Sequence, residues 1–303
     1  MTGSPRGVFV GLTTTDLIHR VDRLPGADDK VTARAQELVA GGPAAVAALT
    51  FSALGGQATL LTGLGAHPLA EVAREDLVRH GVTVRDLAAD GAEPSVSSVR
   101  VHESSGTRSV TSTDAAGAIE LDGPAELPAW VDAVDMVLLD GHHPALALAA
   151  GSAARAASVP VVLDAGRWRP VFATLLPLAQ FVVASAAFTL DGAAVDPGAL
   201  VGSGPDAAAA TAGAGPIRWA VPGESGSVPV RPVAGGDTNG AGDVLHGAVA
   251  FAVAAVGVGP ALAVWPEVLR FAADVATVRV EHPGARAWLG DPRPREWARR
   301  WTS

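Results

Sequence analysis

Short apolar runs alternate along the chain with longer stretches of mixed polarity. Residues 7–11, Gly7-Val8-Phe9-Val10-Gly11, read as a short buried strand with Thr13-Thr14-Thr15-Asp16 at its C-terminal end. Gly41-Gly42-Pro43 then opens a helical stretch over 44–54. Its proline takes the first helical position, where the missing N–H costs nothing. Residues 57–62 read as strand and 68–80 as an amphipathic helix with its charges on one face. Segments 95–101 and 108–112 alternate small or polar with apolar residues, and Glu103-Ser104-Ser105-Gly106 joins them as a hairpin.

Beyond residue 133 the pattern becomes strand, helix, strand. Strands are predicted at 134–139, 159–163, 181–183 and 217–221, with a helix near 144–156 and two more over 240–257 and 262–280. Residues 192–215, rich in Ala, Gly, Pro and Asp, show no usable period. Continuous apolar strands separated by helices predict an α/β fold, a doubly wound and mostly parallel sheet covered by helices on both faces. Ligands of such folds bind at the C-terminal ends of strands, where Asp16, Gly41, Asp164 and the loop 235–243 can converge.

Composition narrows the chemistry. A chain of 303 residues suits one large α/β domain or two smaller ones, and 49% apolar residues suffice for a sizeable core. A net charge of −9 with no basic block argues against a nucleic-acid or anionic-membrane partner. No signal-like or membrane-spanning segment is visible, so a cytoplasmic protein is expected. The absence of cysteine excludes disulfides and thiolate catalysis. Lys30 is the only lysine, and its Asp28-Asp29-Lys30-Val31 setting fits neither a P-loop nor a protein-kinase strand lysine. A phosphate-transferring enzyme built from this chain would grip phosphate with backbone amides, arginine or metal. His142-His143 are adjacent on a strand-to-helix loop and point in different directions, which disfavours a metal pair; His246 reads as a helix-face residue.

The densest chemical signal is Gly235-Gly236-Asp237-Thr238-Asn239-Gly240-Ala241-Gly242-Asp243, followed at once by an apolar helix pattern. Such a turn aims several N–H groups at one point, and the helix N-terminus adds positive partial charge. Asp243 stands beside that anion site. A carboxylate there is unhelpful for binding alone, but it suits proton removal from a hydroxyl that attacks a phosphate. A calcium loop is excluded, because Ala241 and Ala248 fall where oxygen ligands are needed.

Asp237-Thr238-Asn239-Gly240-Ala241-Gly242-Asp243 resembles the Asp-Thr-x-Gly-Ala-Gly-Asp signature of the ribokinase/PfkB carbohydrate kinases. The resemblance, which extends over about residues 8–286, implies that Asp243 is the catalytic base and that the Gly240, Ala241 and Gly242 amides form the anion hole. It makes Asp16 and the Gly41-Gly42 backbone sugar-binding, with Val46 where a sugar-binding asparagine is usual. Asp164, Ser185, Gly213, Thr238 and Asn239 fall on its nucleotide and phosphate side, and Pro283-Gly284-Ala285-Arg286 resembles its closing Gly-Ala motif. Ala66-His67 stand where carboxylates are usual, and Ser185-Ala186-Ala187-Phe188 replaces a segment Asn-x-x-Glu that helps organise magnesium. The implied enzyme is a single ribokinase-like domain over 1–303, with lid strands near 13–40 and 95–112 that such kinases fold over the sugar and often use to dimerise. ATP and Mg²⁺ are the implied cofactors, a small sugar the implied substrate, and a monovalent cation such as K⁺ is implied near Asp237. A nucleoside kinase of the same family and a catalytically silent sugar- or nucleotide-binding regulator stay open as alternatives.

Overall fold

The computed structural model describes residues 3–89, 91–115, 127–190 and 192–302. Its strands are β1 Arg6–Val10, β2 Thr14–Val21, β3 Ala35–Gly41, β4 Gln57–Thr62, β5 Val82–Asp86, β6 Ser95–His102, β7 Arg108–Ser112, β8 Met136–Leu139, β9 Val161–Ala165, β10 Phe181–Ala184, β11 Thr189–Leu190, β12 Ala193–Ala194, β13 Ala207–Ala212, β14 Gly215–Val221 and β15 Glu224–Val228. Its helices are α1 Pro43–Ala53, α2 Pro68–Arg79, α3 Leu127–Asp132, α4 Pro144–Ala156, α5 Phe172–Leu175, α6 Pro197–Val201, α7 Ala241–Val256, α8 Val258–Ala263, α9 Trp265–Glu281 and α10 Arg293–Thr302.

Nine strands form the main sheet in the order β15-β14-β13-β10-β9-β8-β1-β4-β5. Those from β13 to β5 run parallel, and β14 and β15 add an antiparallel hairpin at one edge. β8, β10 and most of β1 are buried throughout, as the short apolar runs predict. Alternation along β1 divides the core in two. Phe9 packs with α1, α7 and α9 on one face, and Val8 and Val10 with α4 and α5 on the other.

The helix-rich face positions the site. α7 is apolar on all sides and buried from Val244 to Ala254, so it runs through the core rather than over the surface. Gly247 lets α7 cross α1 closely, since a Cβ there would lie 2.5 Å from the Ala47 carbonyl oxygen. Trp297 and Trp301 of α10 pack against this same core.

A second, separate sheet, β3-β2-β6-β7, is built from the segments expected to form a lid. Its register places Asp16, Ile18 and Arg20 of β2 on one face, in rows with Ser97, Val99 and Val101 of β6. Arg108 and Val110 of β7 join that face. The loop from β2 to β3 carries Lys30, which is exposed. The stretch 192–215, unreadable by pattern, folds as β12, α6 and β13, with an Asp196 side-chain cap on α6.

Candidate active site

The 238–243 turn lies between two cavities. Asp16, Gly41, Gly42, Val46, Asn239 and Asp243 line the first, together with Arg279 and Arg286. Gly213, Ile217, Val230, Thr238, Ala241 and Gly242 line the second, a mostly apolar groove of about 330 Å³. Asp16, Gly41, Gly42 and Val46 thus fall on the expected sugar side and Gly213 and Thr238 on the expected nucleotide side, whereas Asn239, expected with the nucleotide, lines the first cavity and Asp164 lines neither. Asp243 lines the first cavity and adjoins Gly242 of the second.

Local sterics explain the glycines. A Cβ on Gly41 would sit 2.1 Å from the Asp16 carboxylate, so only glycine lets that side chain lie across the strand end. Gly42 has φ 95°, and a Cβ there would fall 2.4 Å from the Leu12 carbonyl oxygen. Gly240 takes the left-handed conformation at the start of α7, with φ 72°. The Ala241 N–H donates back to the Thr238 carbonyl at 3.3 Å. The N–H groups of Gly240 and Gly242 have no acceptor among the described residues, so of the three amides assigned to the anion hole these two are free.

Asp243 is half-buried. Burial pushes its carboxyl up to about 7, and the neighbouring negative charge of Asp164 adds to the effect. Asp164 is the penultimate residue of β9, and burial raises its carboxyl as well. Its Oδ1 lies 3.3 Å from His246 Nε2, whereas its buried Oδ2 has no partner among the described residues. That orphan oxygen, beside Asp243 and below the turn, fits a divalent cation or its hydration shell. Asp16 is raised by burial, although its Oδ1 accepts from Thr14 Oγ1 at 2.5 Å.

Two expectations change. Ser185 lines neither cavity: its hydroxyl donates to the Gly166 carbonyl at 2.6 Å and accepts from the Ala187 N–H at 3.0 Å, holding together the loops that follow β9 and β10. Asp237 does not present a free carboxylate to a cation. Its Oδ2 accepts from Arg20 Nη2 at 2.5 Å, Arg279 Nη2 at 3.3 Å and the Gly284 N–H at 3.2 Å, and its Oδ1 accepts from the Asn239 N–H at 3.0 Å. The residues present do not fit an alkali cation there.

Several side chains escaped the sequence reading. Arg108, at the start of β7, reaches across to Thr238, donating to its Oγ1 at 2.8 Å, and lines the groove beside Gly242. Arg20 shares a strand face with Asp16 at period two, a signal the pattern does contain. His246 lies on α7 as expected and is buried; its Nδ1 lies 2.8 Å from the Gly242 carbonyl oxygen and its Nε2 3.1 Å from that of Val183. Asp140 accepts the Leu12 N–H at 2.8 Å and the Ala44 N–H at 3.2 Å, joining the ends of β1 and β8 to the start of α1. No local pattern marks Asp140 or Arg279, because their partners are far away in sequence.

Comparison with known proteins decides the family. The family model for the pfkB family carbohydrate kinases matches residues 5–290. The chain belongs to that family. Among its relatives, an ATP-dependent ribose-1-phosphate kinase from Halopiger xanaduensis is 31% identical over 163 residues. That match covers 54% of each chain, so the chain spans about half the length of the curated relative it matches. A provisionally named ribokinase from Agrobacterium tumefaciens superposes with a TM-score of 0.84 at 25% identity, covering 99% of both chains. Ribokinase of Arabidopsis thaliana, solved with ribose and ATP, superposes with a TM-score of 0.77 at 22% identity and 99% coverage of both, a likeness of fold. The nine-stranded sheet with a separate small sheet is thus the ribokinase fold.

Proposed function

We propose that the protein is an ATP-dependent sugar kinase that moves the γ-phosphoryl group of ATP to a hydroxyl of a small carbohydrate. The observation that carries this reading is the position of Asp243, with its raised carboxyl, at the junction of a polar cavity and an apolar groove. The polar cavity takes the sugar, with Asp16 and the Gly41-Gly42 backbone accepting and donating hydrogen bonds to its hydroxyls. The groove takes the nucleotide, with the Gly213 turn and Ile217 against the base.

Asp243 accepts the proton of the attacking hydroxyl. The Gly240 and Gly242 N–H groups and the α7 dipole stabilise charge on the transferring group. Arg108, delivered by the lid next to Thr238 and Gly242, adds a guanidinium on the phosphate side. Mg²⁺, when bound, neutralises phosphate charge, and Asp164 has an unclaimed buried carboxylate oxygen that would hold it or its waters. Catalysis of this kind rests on positioning and electrostatics.

The similarity to a ribose-1-phosphate kinase and the presence of Arg286 in the sugar cavity favour a pentose or pentose phosphate as acceptor. The test is ADP release from Mg·ATP over ribose, ribose 1-phosphate, ketoses, sugar acids and nucleosides, with Asp243→Asn alongside. A substrate-dependent rate lost in the variant supports the proposal. Nucleotide binding without turnover on any acceptor would favour a silent sugar- or nucleotide-binding regulator.

A further inference from the structure

We infer that the guanidinium groups of Arg20 and Arg279 are the resident cations of the phosphate-transfer loop, and that this kinase works without an alkali cation. The inference rests on the kinase reading above. Asp237 opens the 237–243 turn and is locked on every side. Its N–H donates to the Val280 carbonyl at 3.0 Å, and its Oδ1 accepts the Asn239 N–H at 3.0 Å. Its Oδ2 takes Arg20, Arg279 and the Gly284 N–H together. The side chains of Asp237 and Arg279 are each 3% exposed and that of Arg20 is 10% exposed, so solvent ions do little of this work.

Charge within the cluster balances. Arg20 Nε lies 3.3 Å from Glu37 Oε1, and Glu37 Oε2 accepts the Ala285 N–H at 2.8 Å. Two carboxylates therefore face two guanidiniums. Burial pushes the Asp237 carboxyl up, but Arg279, Arg20 and the two backbone donors outweigh it and hold the group below its ordinary value. An added K⁺ would meet two fixed positive charges and no unclaimed oxygen of Asp237, and it would lose hydration without compensation.

Arg20 and Arg279 thus act as positioning residues. They fix Asp237, Asp237 fixes Asn239, and the turn then aims the Gly240 and Gly242 N–H groups. Arg20 also belongs to the lid strand that carries Asp16, four residues earlier on the same face. The sugar-binding side chain and the loop's own cation are therefore carried by one strand.

The test compares the full-length protein in KCl and in tetramethylammonium chloride at equal ionic strength. Two readouts are used, the thermal midpoint without nucleotide and the affinity for a non-hydrolysable Mg·ATP analogue. For the wild type, both should agree between the two salts, with affinities within about twofold. A K⁺-specific rise in midpoint, or affinity about tenfold tighter in K⁺, overturns the inference. Arg279→Met and, as the variant less exposed to misfolding, Arg20→Met should each weaken nucleotide binding by about tenfold or more in tetramethylammonium. K⁺ should recover part of that loss, which a purely structural role would not allow. If both variants fold and bind nucleotide like the wild type, the guanidinium pair is not the loop's cation. If the wild type binds no nucleotide in either salt, the kinase reading fails instead, and the K⁺ effect on the midpoint still decides the cation question.

Discussion

Desolvation and the neighbouring charge of Asp164 push the Asp243 carboxyl up to about 7. The base form exists above that value, so kcat/KM should fall about tenfold per pH unit below it and level off above. A pH–rate profile measured from 5 to 9 checks this; a flat profile through 7 would remove Asp243 as the base. Asp243→Asn should cut kcat by about 10²- to 10⁴-fold while leaving Mg·ATP affinity intact. The same substitution should stabilise the fold at pH 8. A carboxyl raised in the folded state opposes folding once it is ionised, and this penalty appears as the pH climbs from its ordinary 3.8 toward 7. The thermal midpoint of Asp243→Asn, compared with wild type at pH 5 and pH 8, should show the gain chiefly at pH 8. Asp243 was legible in the chain because it sits among glycines in one turn, and Asp16 because it ends the polar run after the first strand. Arg279 was not, because the carboxylate it meets, Asp237, lies 42 residues away, and Arg286 showed only as the end of a short motif, its partner Asp76 lying 210 residues away.

α7 ties a packing requirement to the placement of Asp243. Its N-terminus carries Asp243, and its crossing with α1 depends on Gly247. Gly247→Ala would drive a methyl into the Ala47 carbonyl and Thr50 Cβ, at 2.5 and 2.7 Å. Overpacking of this kind should cost about 1–3 kcal/mol and displace the start of α7. Chemical denaturation together with kcat should show both losses; stability loss with unchanged kcat would mean that the helix start is held independently of that crossing. The parallel sheet, the hairpin and the long helices were readable from apolar periodicity, because burial on both faces leaves continuous apolar strands. Element ends were less so. The strand expected over 134–139 begins at Met136, since Asp135 takes the Arg6 N–H outside the ladder, at 2.7 Å. The helix expected over 262–280 is interrupted, with α8 ending at Ala263 and α9 starting at Trp265.

Across the whole molecule, the lid is tied to the main sheet by charge as well as by chain. Asp114, two residues beyond β7, meets both the His142 ring and Arg169, each at 3.1 Å, and His142 also faces Asp140 at 3.2 Å. Burial pulls the His142 ring down, but Asp140 and Asp114 win and carry it up to about 10. Burial likewise raises Asp140, and His142 overrides it, leaving Asp140 at about 2. The signs set a window. The histidine's contribution is complete below its ordinary 6.5 and is lost as pH rises through about 10. The aspartate's contribution is present above its ordinary 3.8 and is lost as pH falls through about 2. Hydrogen exchange of β7 should accordingly show excess protection relative to His142→Gln at pH 6, shrinking toward pH 9; equal protection at both values would disconnect the junction from the lid. Arg108→Met should weaken Mg·ATP binding and lower kcat, together by about 10- to 100-fold in kcat/KM, without altering the thermal midpoint by more than about a degree. The solitary lysine has a practical consequence. Lys30 is exposed in the loop between β2 and β3, so an amine-directed dye has one side-chain target in the chain, on the small sheet that carries Asp16. Fluorescence from that label would report whether added sugar or nucleotide moves that sheet, with no engineered cysteine and no competing side-chain amine.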